Sequence, residues 1–374
     1  MTEPETGWGL PDLEHPGLRE HLDTPTLVVD VATVRRNVIE HVAQLSARGV
    51  VLRPHAKTHK SVRMARLLAE LGAGGITTAT LSEAEVFADA GLTDLFVAYP
   101  VWAGSPRKAE RLRRLAGAAD LRVGVDSAAG ARALGAATRG LDRPLEVLVE
   151  LDSGDRRSGC SPDQACEVAA AARDAGLRMV GVFTHGGHSY AAPEAAAGAA
   201  EDEVEVLRRG RDLLLAEGHD IAVVSAGSTP TALASGRDGV TEVRPGTFVY
   251  GDRQQVMLGS TGRSDVALAV ATTVVSTAVA GQFVLDAGAK ALGKDRHPLL
   301  PGHGHLPAYP DAVITRVYDH HAVVETGGER PELGQLLLLV PNHVCPVVNL
   351  ASSTVVVDGS TVEVWPVDAR SCNA

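Results

Sequence analysis

One run of residues concentrates bases where a covalent bond could form: Val51-Leu52-Arg53-Pro54-His55-Ala56-Lys57-Thr58-His59-Lys60. Side chains on a β-strand alternate between its faces, so Arg53, His55 and Lys57 are predicted to share one side, with Pro54, Ala56 and Thr58 on the other. An amine crowded by cations and drawn out of water loses part of its preference for charge. The neutral amine is the form that condenses with an aldehyde to give a Schiff base. Lys57 is therefore the candidate covalent anchor. Lys60 falls beyond the predicted strand and is expected to be solvated, opening the next helix. Read by itself, the run fits equally well an exposed strand with ordinary surface bases.

A second constellation is Pro341-Asn342-His343-Val344-Cys345-Pro346. The prolines stiffen the backbone, and an extended spacing aims the imidazole of His343 and the thiol of Cys345 to one side. Thiolate plus imidazole favours zinc, with manganese or magnesium as alternatives. Two protein ligands are too few for a closed structural site, so the open positions would fall to water and substrate. Taken alone, a buried cysteine beside a structural histidine explains the pair better. Phosphate recognition needs hydroxyls and backbone N–H groups converging from a turn. Gly227, Ser228 and Thr229, then Gly246, Thr247 and Tyr250, offer two such loops, and no GxxxxGK[ST] or strand-linked GxGxxG competes with them. The loop Gly302-His303-Gly304-His305 is expected to be exposed and polar; it could also line an entrance or bind metal adventitiously.

The elements that must position these groups alternate. Between residues 26 and 228, short β-branched runs are separated by stretches of helical period. Candidate strands cover 26–30, 51–57, 75–82, 94–100, 121–126, 145–152, 179–186 and 222–228. Eight such units predict an α/β fold, a (β/α)₈ TIM-like barrel with its chemistry at the carboxyl ends of the strands. After about residue 255 the helical pattern gives way to strands with Gly and Pro turns, predicting a mostly antiparallel β domain. The expected division is an N-terminal segment 1–22 packing with the β domain, a barrel over 23–255, and a β domain over 256–374 carrying the metal ligands. Residues 266–285 hold no charge, but Thr272, Thr273, Ser276, Thr277, Gly281 and Gln282 mark them as two paired strands rather than a membrane helix.

The net charge of −11 excludes a basic footprint for nucleic acid. Four cysteines form no disulfide framework, and the acidic first twenty residues lack a secretory pattern, so the cytoplasm is expected and no membrane partner is implied.

Arg53-Pro54-His55-Ala56-Lys57-Thr58-His59-Lys60, preceded by Asp23-Thr24-Pro25-Thr26, resembles the D-serine dehydratase and D-threonine aldolase family, the metal-dependent branch of the alanine-racemase-like (fold type III) pyridoxal enzymes. The resemblance extends over residues 23–370 and implies a barrel followed by a β domain, with pyridoxal 5'-phosphate on Lys57 and a divalent metal at His343 and Cys345. It further implies that Arg157, rather than Arg156, lies near the pyridine nitrogen. A permanent cation there would keep that nitrogen unprotonated. His185 and Tyr190, beyond the seventh strand, are implied to lie close to the cofactor, as is His55. The family has His-x-Cys in its dehydratase branch and usually His-x-Asp in its aldolase branch. Cys345 and the run His185-Gly186-Gly187-His188-Ser189-Tyr190 thus point toward β-elimination from a 3-hydroxy D-amino acid, D-serine giving pyruvate and ammonia. Cleavage to glycine and an aldehyde is the alternative. A racemase, a non-catalytic pyridoxal-phosphate carrier and a cofactor-free metal hydrolase are weaker rivals. Asp319-His320-His321-Ala322 stands where the family commonly shows Glu-His-Gly, which leaves substrate choice open. The resemblance also implies a homodimer whose site lies between one subunit's barrel and the partner's β domain.

Overall fold

The computed structural model describes residues 7–237, 239–328 and 330–374; the first six residues of the expected 1–22 segment lie outside the described residues. The chain divides into two compact units: Ile39–Lys57, Met64–Gly246 and Cys372–Ala374 form one, and Met1–Val38, Thr58–Arg63 and Thr247–Ser371 the other.

In the first unit eight parallel strands follow the order Val51–Leu52, Glu242–Val243, Val223–Ala226, Arg178–Phe183, Glu146–Glu150, Asp120–Val125, Asp94–Pro100, Ile76–Thr78. The two ends of this series meet through a parallel bridge between His55 and Thr77. Ala56 N donates to Thr77 O (2.8 Å) and Thr77 N to Pro54 O (2.9 Å), so the sheet closes on itself. The connecting helices start where side chains can satisfy their free N–H groups. Thr80, Ser105 (with Pro106 next) and Ser127 each accept a backbone N–H of the first turn. Strand residues facing inward fill the barrel. Phe96, Leu148, Val180 and Phe183 form its core, with the Phe96 and Phe183 rings edge-on at 5.1 Å.

Two sequence expectations change here. Thr26–Asp30 is not a barrel strand; it sits centrally in the other unit's sheet, antiparallel to Leu268–Ser276 and parallel to Ser353–Asp358. Leu27, Val28 and Val29 are all buried, and a strand covered on both faces reads identically in either sheet. The missing barrel strand is Glu242–Val243, two residues long and too short to leave a periodic signal. Likewise the expected strand 51–57 ends at Leu52, and Lys57 lies in the turn that follows.

Arg53 shares the face of His55 but lies about 7 Å lower along the chain. Its guanidinium donates to Glu242 Oε2 (2.8 Å) and to both carboxylate oxygens of Asp94 (2.9 and 3.1 Å). Both partners open their strands, so this ion cluster belongs to the amino end of the barrel, away from the end where chemistry is expected.

The second unit is a nine-stranded sheet. Its main path runs Val313–Val317, Ala322–Glu325, Gln282–Leu285, Leu268–Ser276, Thr26–Asp30, Ser353–Asp358, Thr361–Pro366; Leu336–Pro341 pairs with Leu268–Ser276, and Gly304–His305 with Leu336–Pro341. All pairings are antiparallel except that of Thr26–Asp30 with Ser353–Asp358. The uncharged stretch 266–285 forms the expected pair of strands, and among the described residues no helix is long and apolar enough to cross a membrane. Leu18, from the N-terminal segment, is buried in the cluster of Val28, Ala269, Ala271, Val355 and Val357. Lys60 is corrected too: it is buried, adopts φ +49°, and donates from Nζ to the carbonyl of Ala369 (3.3 Å).

Candidate active site

A cavity of about 500 Å³ opens in the barrel unit, lined by His55, Lys57, Tyr99, Asp126, Arg157, Ser158, His185 and Arg244 among others. Every one of these residues lies at or beyond the carboxyl end of a strand, where polar groups can project without disturbing the packed interior. His55 N is held by Pro245 O (2.9 Å), which fixes the turn carrying Lys57.

Three cations, Lys57, Arg157 and Arg244, surround this space with one carboxylate, Asp126. Arg244 is wholly buried. It donates from Nε to Ser225 Oγ (2.7 Å) and from Nη2 to the carbonyl of Thr184, and its guanidinium lies over the rings of Phe96 and Phe183 at 5.7 and 5.3 Å. Burial pulls the His185 imidazole well below its ordinary range, reinforced by the charges of Lys57, Arg157 and Arg244. His185 is therefore neutral at physiological pH. Its ring lies 6.4 Å from that of Tyr190, centroid to centroid. Arg156 and Arg157 are both exposed, and of the two it is Arg157 that lines the cavity.

Glu150 ends its strand beside the cavity. One oxygen accepts from Ser158 Oγ (3.0 Å), and the other, Oε2, is buried without a hydrogen-bond partner among the described residues. Burial raises this carboxyl to about 7, although Ser158, Arg157 and Arg244 act the other way.

Of the loops expected to take a phosphate, Gly227, Ser228 and Thr229 follow the strand Val223–Ala226, with Ser228 and Thr229 buried and Gly227 at φ +94°. The Ser228 hydroxyl lies 3.1 Å from those of both Ser189 and Thr231, and Ser228 N donates to Thr231 Oγ1 (2.9 Å). Gly246 closes the barrel unit. Thr247 and Tyr250 belong to the other unit, both buried, with the Tyr250 phenol raised by burial.

In that other unit, His343 and Cys345 come together through a helix start rather than the extended spacing expected. His343 has extended dihedrals and precedes Val344–Leu350, placing Cys345 in the first turn. The two side chains hydrogen-bond each other. Nδ1 of His343 lies 2.8 Å from Asp295 Oδ2, and the Cys345 sulfur 3.3 Å from Thr58 Oγ1. Burial lowers the imidazole's affinity for a proton, but the Cys345 sulfur, Asp252 and Asp295 outweigh it and hold His343 at about 10. Asp252 anchors the helix start, accepting Val344 N (3.0 Å). Among the described residues no group of three or more His, Cys, Asp or Glu is gathered for a metal. The donor set is thus two soft-to-borderline ligands with a carboxylate behind the histidine, which suits an ion that keeps open positions.

The 302–305 loop is not exposed as expected. Gly304–His305 is a strand, and the carbonyls of Gly302 and Gly304 accept from Asn342 Nδ2 (3.0 Å) and Arg253 Nη1 (2.9 Å), buttressing the residue before His343. The ring of His305 packs near Trp8 at 5.2 Å. His320 is exposed on a separate cleft of the same unit, with Asp286, Lys290 and Arg370.

Tyr99, Asp126, Glu150, Arg244, Asp252 and Asp295 were not singled out from the sequence. Arg244 had a signal, standing just after a strand in Arg-Pro-Gly, whereas Asp295 is 48 residues from its histidine.

Comparison with known proteins matches residues 29–254 to the family model for the alanine racemase N-terminal domain and residues 267–357 to that for the serine dehydratase domain. D-threo-3-hydroxyaspartate dehydratase of Delftia sp. (strain HT23) is 38% identical over 348 residues, covering 87% of this chain and 91% of that protein. A solved structure of that dehydratase, a Cys-to-Ala variant in the metal-free form, superposes with a TM-score of 0.85 at 36% identity, covering 92% of this chain and 97% of that one. D-threonine aldolase of Arthrobacter sp. is 32% identical, with 97% of each chain covered.

Proposed function

We propose, from the premise that this chain belongs to the fold type III pyridoxal-phosphate family joining an alanine racemase N-terminal domain to a serine dehydratase domain, that it is a lyase of 3-hydroxy D-amino acids acting by dehydration. The observation that carries the reading is the cavity itself: Lys57, Arg157, Arg244 and an uncharged His185 gathered beyond the ends of barrel strands. Its size falls in the range of small-molecule sites, and its excess of cations suits an anionic ligand.

Lys57 would hold the cofactor through Nζ and, once the substrate amine has displaced it, its freed amine would accept the Cα proton. Pyridoxal phosphate supplies the electron sink for the pair left at Cα. His55, Arg157, His185 and Tyr190 would bind the ring, Arg157 as the partner of the pyridine nitrogen; Gly227, Ser228 and Thr229, and the loop of Gly246, Thr247 and Tyr250, would bind the phosphate. His343 and Cys345 would hold the metal, zinc by their donor chemistry, and the ion would supply Lewis acidity toward the 3-hydroxyl. Asp295 orients the His343 ring. The molecule works as a homodimer, and cysteines that form no disulfide among the described residues suit the reducing cytoplasm.

Incubating the purified chain with D-serine, D-threonine and D-threo-3-hydroxyaspartate, and assaying 2-oxo acid and ammonia against glycine and aldehyde, tests the reading. A 2-oxo acid with equimolar ammonia is expected. Glycine and an aldehyde alone would establish the second reading, which the aldolase relative favours.

A further inference from the structure

Near the middle of the helix Ala195–Ala216 stands Glu203, with no exposed surface. A carboxylate on a surface helix normally turns to water, and one buried this completely is tolerated only when its lone pairs are met. Here four donors meet them. Oε1 accepts from Gly186 N (2.7 Å) and Gly227 N (3.1 Å), Oε2 from Ser235 Oγ (2.5 Å), and the Thr231 hydroxyl adds a fourth bond.

The first two donors matter most. Gly186 follows His185 on the cavity wall, and the backbone of Gly227 hydrogen-bonds the His185 imidazole. One oxygen atom therefore holds the peptide that follows His185 and the N–H of the glycine whose own backbone bonds the His185 ring. The fit is close enough that a Cβ on Gly186 would come within 2.9 Å of Glu203 Cδ.

We propose that Glu203 is a positioning residue which, through Gly186 and Gly227, sets the pose of the His185 imidazole and the spacing of the two cofactor loops. The inference rests on the reading that this cavity holds pyridoxal 5'-phosphate. Without Glu203 two buried N–H groups converge on a void, and the loops separate to reach water.

The test uses the full chain, stripped of cofactor and titrated with pyridoxal 5'-phosphate by visible absorbance, followed by kcat and KM on the substrate found active. Glu203→Gln keeps an oxygen at full reach and gives up the charge; Glu203→Asp keeps the charge and withdraws it by about 1.5 Å. We expect Glu203→Gln to stay within about threefold of the unaltered chain, and Glu203→Asp to bind the cofactor about tenfold more weakly with kcat lowered more than KM is raised. A purely structural carboxylate predicts a lower Tm for both variants with cofactor Kd and kcat unchanged in the folded fraction, and that result overturns the proposal, as does the reverse ranking. Failure of the unaltered chain to bind pyridoxal 5'-phosphate overturns the cavity reading and this inference together. Binding by the unaltered chain with no effect in Glu203→Asp overturns this inference alone.

Discussion

Nδ1 of His343 lies 2.8 Å from Oδ2 of Asp295, a loop residue 48 positions earlier in the chain. The contact selects which ring nitrogen faces the carboxylate and leaves the other available to the proposed metal, whose ligand would be made more basic by the carboxylate behind it.

Replacing Asp295 with Asn removes the charge and keeps the shape. Metal affinity, measured by competition with a chromogenic chelator, is expected to fall about 10- to 100-fold. Lyase activity should return when metal is supplied in excess. Unchanged affinity would show that Asp295 serves only the apo protein's ion pair.

Glu150 makes stability depend on pH. Its folded carboxyl titrates at about 7, above its ordinary 4.5, so between those values the folded state holds more protons than the unfolded one. Stability from this group is complete below about 4.5 and is lost as pH rises toward about 7. Each pH unit corresponds to about 1.4 kcal/mol, giving a loss of about 3 kcal/mol across the window. Glu150→Gln retains an acceptor for Ser158 and cannot ionise. Urea unfolding should therefore show the variant more stable than the unaltered chain at pH 8 and nearly equal at pH 4.5; equal midpoints at both pH values would contradict the assignment.

What the sequence disclosed follows from what is local. Lys57 and His185 stand on or just beyond strand ends, and their positions on the cavity wall could be anticipated from the count of βα units. The barrel and the antiparallel domain were legible for the same reason. Thr26–Asp30 was misplaced because Leu27, Val28 and Val29 are covered on both faces, a pattern shared by any central strand. Glu242–Val243 escaped because two residues have no period. Glu203 and Asp295 were invisible for another reason: their partners lie 17 and 24, or 48, residues away, and only the closed fold brings them together. Arg53 misled because face and height are separate properties of a strand residue, and alternation reports only the first.

The ligand pair offers a way to probe which bond breaks. Cys345 supplies a soft sulfur beside His343, and replacing it with Asp substitutes a hard oxygen donor. A harder set shifts preference from zinc toward manganese and magnesium, and it removes the sulfur's electron donation to the ion. A more electrophilic ion at that site would favour loss of the proton from the substrate's 3-hydroxyl, which Cα–Cβ cleavage needs and which makes that oxygen a poorer leaving group for elimination. Cys345→Asp, assayed with manganese and D-threonine, is therefore expected to raise the ratio of glycine to 2-oxo acid relative to the unaltered chain. The carboxylate should still support metal binding, so chelator titration separates a change in product from a loss of the ion. A variant that binds manganese and yields 2-oxo acid in an unchanged proportion would show that the choice between elimination and cleavage is made elsewhere in the site.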